Sequence, residues 1–138
     1  MASFNKFNAF VEHVAEKVHN LGSDQLAVAL TNTAPSASNS VRADLTEIAY
    51  TNLSSRNITT VSSAQSSGTY KLTLTDLVLT ASGGSVGPFR YVVIFNDTPT
   101  SPADPLIGWY DYGSAITLAD GESLTIDFDG TNGVLTLA

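Results

Sequence analysis

The sequence predicts a mostly β fold, a β-sandwich or jelly-roll-like domain with one N-terminal amphipathic α-helix. Three observations carry that expectation. Apolar residues alternate with polar or small ones at a period of two, most cleanly at Leu124, Ile126 and Phe128. Soft loops rich in Ser, Thr, Asn, Gly and Pro separate these runs. Helical spacing stands out in one stretch, at the front of the chain.

That stretch runs from about Ser3 to Asn20. Phe4, Phe7, Val11, Val14 and Val18 follow one another at steps of three and four, a stripe on one helical face. Phe10 and Ala15 widen the stripe, while Glu12, His13, Glu16 and Lys17 occupy other faces. Ser3 is the expected N-cap and Asn20-Leu21-Gly22 the expected stop. The stripe packs either on the protein's own sheet or on a neighbouring subunit.

The first strand is expected at Leu26, Val28 and Leu30. A polar loop follows from Thr31 to Ser40, then a weaker strand at Leu45 to Tyr50 and another at Ile58 to Val61. Ser62 to Gly68 reads as a loop. Tyr70, Leu72 and Leu74 alternate, and so do Leu77, Leu79 and Ala81. The phase slips around Thr75-Asp76, where a bulge or a change of sheet is expected. Phe89 to Phe95 is nearly all apolar, the mark of a central strand covered on both faces. Three prolines place a loop at Thr98 to Pro105, and Leu106 to Tyr112 is an aromatic strand. Leu124, Ile126 and Phe128 face inward, with Thr125, Asp127 and Asp129 outward. Gly130-Thr131-Asn132-Gly133 reads as a hairpin-like turn into Val134 to Leu137.

Composition bounds the rest. The chain has 138 residues, 43% of them hydrophobic, and no cysteine. One domain over residues 1–138 is expected, with the helix in 1–22 and the sandwich in 23–138, held by packing and hydrogen bonds alone. The net charge is −7. Lys6, Lys17, Arg42, Arg56, Lys71 and Arg90 are scattered, which disfavours a nucleic-acid partner. After Arg90 come Asp97, Asp104, Asp111, Asp120, Glu122, Asp127 and Asp129 with no basic residue between them. One face or end of the fold is therefore expected to be strongly negative. No apolar run approaches the roughly 20 residues of a membrane-spanning helix, so no membrane partner is expected. The first residues lack the basic-then-apolar pattern of a secretory signal.

The chemical motifs are weak. Gly83-Gly84-Ser85-Val86-Gly87 matches a hydrolase elbow in letters only. The elbow needs a helix after the serine and a later histidine base, whereas Pro88 and a strand-like run follow, and His13 and His19 lie upstream. Six residues apart on a helix, those histidines diverge by about 120° and would not share a metal. Asp127 to Gly133 resembles part of a calcium loop, but the glycine is misplaced and the twelfth position is Ala138, so an EF-hand is ruled out. Another kind of calcium site stays open. The sites at Asn52, Asn57 and Asn96 match the glycosylation triplet, as chance allows in so Ser- and Thr-rich a chain. No phosphate-cradling or dinucleotide motif is present. No enzymatic activity, no cofactor and no metal ligand set are expected.

Trp109-Tyr110-Asp111-Tyr112 joins aromatics to an acid. Trp109 and Asp111 share one side of the strand, and Tyr110 and Tyr112 the other. Core packing, a protein interface and a sugar-binding face all use such residues.

The chain also resembles small virion structural proteins of tailed bacteriophages, of the capsid decoration or cement type. Three pieces carry the resemblance. Lys17-Val18-His19-Asn20-Leu21-Gly22 leads into Leu26 to Leu30 and Thr31-Asn32-Thr33-Ala34-Pro35. Phe89-Arg90-Tyr91-Val92-Val93 is the second. Leu106-Ile107-Gly108-Trp109-Tyr110-Asp111-Tyr112-Gly113, followed by Leu118-Ala119-Asp120-Gly121-Glu122, is the third. The resemblance implies a homo-oligomer made in the host cytoplasm that binds the outer surface of the head and stabilises the major capsid protein shell. An acidic body repelled by packaged DNA fits an outer position. A tail-associated or baseplate structural protein and a carbohydrate-binding adhesion module are the alternatives. Phe4, Phe7, Val11, Val14, Val18, Trp109, Tyr110 and Tyr112 are the candidate subunit or shell contacts.

Overall fold

A computed structural model describes residues 2–138. Ten strands lie among them: β1 (Phe4–Lys6), β2 (Leu26–Thr31), β3 (Asn57–Ile58), β4 (Thr60–Ser66), β5 (Thr69–Leu74), β6 (Leu77–Thr80), β7 (Val86–Asn96), β8 (Leu106–Leu118), β9 (Ser123–Ile126) and β10 (Leu135–Leu137). A single α-helix, α1 (Asn8–Ala15), follows β1, and a short 3-10 turn spans Arg42–Asp44. The strands form three antiparallel sheets, in the orders β1-β8-β7-β2-β3, β10-β5-β4 and β6-β9.

The centre of the five-stranded sheet, β2 and the Tyr91–Asn96 part of β7, is buried on both faces, as the apolar run at Phe89 to Phe95 predicts. Alternation sorts its side chains. Leu26, Val28, Leu30, Val92 and Ile94 point into the main core, which they share with Leu72 and Leu74 of β5, Leu79 of β6, Ile126 of β9 and Phe128. Ala27, Ala29, Val93, Phe95 and Leu106 point the other way, into a smaller cluster with Phe7, Leu45 and Trp109. Small alanines on β2 suit this thinner second layer. Leu45 helps cover it, while Ile48 and Tyr50 pack against the main core, and the 45–50 segment does not become the strand expected there. One isolated bridge, Thr31 to Glu47, is its sheet-like pairing.

The N-terminal segment departs furthest from expectation. Phe4 to Lys6 is not helical but extended, paired with Tyr110, Trp109 and Gly108 of β8. Phe7 continues the contact through its N–H to the Ile107 carbonyl, 3.2 Å. A non-local partner thus outweighs a local helical pattern, because edge pairing satisfies backbone groups that a frayed helix end would leave to water. Gly108 permits the approach: a Cβ there would stand 2.7 Å from the Asn5 carbonyl oxygen and closer still to the Phe4 ring. The helix that remains is short, and it ends at Ala15 with a stop motif at Lys17 rather than at Gly22. Lys17 takes a left-handed φ of 66°, with Lys17 N–H on the Val14 carbonyl and Val18 N–H on the His13 carbonyl. This is a Schellman stop with lysine where glycine is usual.

Two further differences come from strands without an apolar signal. Ser62 to Ser66 belongs to β4 and is not a loop. It forms a hairpin with β5 through Ser67 and Gly68, both at positive φ (51° and 84°), the combination that matches strand twist. Gly130 to Gly133 is not a hairpin turn: β9 pairs with β6, while β10 pairs with β5 in another sheet. The phase slip at Thr75-Asp76 is the expected change of sheet, since β5 and β6 lie in different ones.

Candidate interaction surface

The candidate contact residues divide into four groups. Phe7 is fully buried and tilts against Trp109 at 4.6 Å between ring centroids. Phe4 is half-buried over Gly108 and tilts against Tyr110 at 5.4 Å. These contacts fasten the N-terminal strand to β8 within the chain. Val11 points outward and is 51% exposed. Val14 and Val18 line a groove, and Tyr110 and Tyr112 line a separate recess. The single stripe drawn on a long helix does not form, because Phe4 and Phe7 precede the helix and Val18 follows it.

The groove, about 670 Å³, runs between the turn after α1 and the β4–β5–β10 sheet. Val14, Val18, Leu21, Tyr70, Pro99 and Leu137 give it an apolar floor and wall, with Lys17 and Asp24 also on its lining. Leu137, 41% exposed, stands at its margin. Nothing in the sequence marks Leu137 or Tyr70 as neighbours of Val18; their meeting depends on β10 crossing to β5.

Beside the groove lies a polar network. Asn96, fully buried at the end of β7, donates from Nδ2 to Asp24 Oδ2 at 2.8 Å and contacts His19 Nδ1 at 3.1 Å. Its Oδ1 accepts the Thr98 N–H at 3.1 Å. With Asn96 donating, His19 Nδ1 accepts and its proton sits on Nε2. Burial, and then the neighbouring His13, push the His19 pKa down to about 4 against the pull of Asp24. The two histidine rings lie 6.0 Å apart. The helical argument that separated them fails, because the helix ends at Ala15 and the Schellman turn brings His19 back toward His13. Among the described residues, no group of three or more His, Asp or Glu side chains is arranged to hold a metal ion.

The recess, about 260 Å³, is lined by Ala2, Tyr110, Tyr112, Thr125 and Asp127. Tyr110 and Tyr112 share a side of β8, as the alternation predicts. The loop after β9 adds Asp127, with Asp76 and Asp129 nearby. Asp76 Oδ1 accepts the Phe128 N–H at 2.9 Å, and Asp129 Oδ1 accepts the N–H groups of Thr131 and Asn132. Those bonds hold the Asp129 carboxyl below the usual carboxylate range. The same bonds spend Asp129 on its own turn, where the sequence suggested part of a calcium loop.

Of the hydrolase-like glycines, Gly83 and Gly84 lie in the bend between β6 and β7, and Gly87 lies within β7. Gly83 has a φ of 88°, and its N–H meets Asp120 Oδ1 at 2.9 Å. Ser85 is exposed and enters a strand rather than a helix. No protein-family model, curated protein or solved structure matches this chain.

Proposed function

We propose that the protein is a capsid decoration (cement) protein of a tailed bacteriophage. In this reading it binds the outer surface of the head as a homo-oligomer and stabilises the major capsid protein shell. Its three sheets make a β-sandwich, with the two smaller sheets on one face of the large one. A core shared by all three sheets supports that architecture.

The observation that carries the functional reading is the uncovered apolar groove of Val14, Val18, Leu21, Tyr70, Pro99 and Leu137 on a chain of net charge −7. An apolar docking strip on an acidic body suits adhesion to protein and not to DNA. Cementing then follows by mass action. A protein that binds the closed shell and not its loosened form stabilises the closed one, and symmetry repeats each modest contact many times.

The test adds the full chain to phage shells that lack it. Saturable binding and a raised shell melting temperature are expected, with labelled protein on heads and not on tails. Leu137→Asp should weaken shell binding at least about tenfold while leaving the protein's own melting temperature unchanged, because Leu137 is exposed. Label confined to tails, or shells that neither bind nor gain stability, would overturn the reading.

A further inference from the structure

The recess beside β8 has an unusual combination of groups. Tyr110 is only 5% exposed, its ring held between Phe4 and Phe128 at 5.4 and 6.2 Å. Yet its hydroxyl finds no hydrogen-bond partner among the described residues and is not sealed from solvent. A phenol so well fixed, with its polar tip unpartnered and opening into a recess, is a prepared donor and acceptor. Tyr112 lies two residues along the same side, and Asp127 supplies a carboxylate. Burial first, and then Tyr112 and the carboxylates of Asp127, Asp129 and Asp76, raise the Tyr110 pKa. The field in the recess is therefore negative.

No Lys or Arg lines it. The chain shows elsewhere what such a combination accepts. Arg42 lies over the Phe95 ring at 4.8 Å and pairs with Glu47 at 2.9 Å. Arg90 lies over Tyr91 at 5.2 Å and pairs with Asp111 at 2.7 Å. Arg56 lies over Tyr50 at 3.7 Å and donates to the Val28 carbonyl at 2.7 Å. Each arginine of this protein thus takes an aromatic ring together with an oxygen acceptor. Among the described residues, the recess offers the Tyr112 ring and oxygen acceptors with no lysine or arginine on its lining.

We propose that this recess receives the guanidinium of an arginine on a partner protein. Tyr110 and Tyr112 hydroxyls and the Asp127 carboxylate accept its N–H donors, and the half-buried Tyr112 ring lies alongside. A bare metal ion is less suited, since among the described residues no set of three acidic or histidine ligands is gathered here. A sugar is less suited too, because the Tyr110 ring is packed between Phe4 and Phe128 and is not free to stack on one. An anion would meet carboxylates. The inference concerns the side chain accepted and holds whether or not the partner is a capsid shell.

The test uses the isolated full chain and two blocked tripeptides, Gly-Arg-Gly and Gly-Lys-Gly, followed by NMR. Gly-Arg-Gly should give saturable shifts confined to Tyr110, Tyr112, Thr125 and Asp127, with a dissociation constant on the order of 1 mM, as one ion-pair and cation–π contact allows. Asp127→Asn should weaken it at least about fivefold. That change keeps the Oδ1 that accepts the Asp129 N–H at 2.8 Å, so the loop stays folded. Gly-Lys-Gly should bind several-fold more weakly. Shifts that never saturate, equal binding by Asp127→Asn, equal binding of the lysine peptide, or the same shifts produced by a disaccharide instead would each overturn the proposal.

Discussion

β2 and β4 are neighbours in length and opposites in environment. All six residues of Leu26–Thr31 are buried, whereas none of Thr60–Ser66 is. β2 lies between β7 and β3, with the main core on one face and the Phe7–Phe95 cluster on the other. β4 is the outer strand of its sheet, and the Ser67-Gly68 turn and its ladder to β5 hold it in place. The two show that a strand can be specified by what it buries or by how it is joined. Removing apolar surface should hurt the first kind and barely touch the second.

The largest expected effect is therefore at the doubly covered sheet. Phe95→Ala removes a ring that is 1% exposed, at the centre of the thinner layer. It should cost about 3–5 kcal/mol in chemical denaturation. A loss below about 1 kcal/mol would mean that the second layer does not pack as described.

A smaller effect should appear on acidification, at the polar end of the same sheet. His19 titrates near 6.5 when unfolded but is held down to about 4 in the folded protein. Between those values the unfolded chain binds the proton and the folded chain does not. Its contribution is present above about pH 6.5 and is lost as pH falls toward 4. Melting temperatures measured from pH 7 to 4 should fall less steeply for His19→Gln than for the parent chain. Parallel slopes would show that His19 is not held neutral by burial.

The smallest effect is expected on β4. Val61 is 62% exposed, and Val61→Ala should change stability by no more than about 0.5 kcal/mol. A loss comparable to that of Phe95→Ala would erase the contrast and show that β4 is covered in solution, for which the oligomeric state should then be measured.

The same contrast explains what the sequence made legible. Two-faced burial leaves an apolar run, so β7 was readable at Phe89 to Phe95. One-faced burial leaves alternation, so Leu124, Ile126 and Phe128 were readable, and Ile126 and Phe128 are fully buried. A strand that buries nothing leaves no hydrophobic signal, and Ser62 to Ser66 passed for a loop. Phe4 and Phe7 misled for another reason. Their spacing suits a helix, and only a strand about a hundred residues later decides otherwise. In the recess, the shared side of Tyr110 and Tyr112 follows from a period of two. The arrival of Asp127 and Ala2 beside them depends on β1 and β9 meeting around β8, which local pattern does not encode.

The pairing of β1 with β8 also sets an order in time. Asn5 lies opposite Trp109, so the first strand emerges from the ribosome with no partner yet made. At roughly 5–20 residues per second, synthesis alone imposes a wait of about 5–20 s before β8 exists. Through that interval Phe4 and Phe7 lack their native ring partners Tyr110 and Trp109. Gly108, whose missing side chain later admits the Phe4 ring, is therefore the residue whose synthesis completes the seat for that ring.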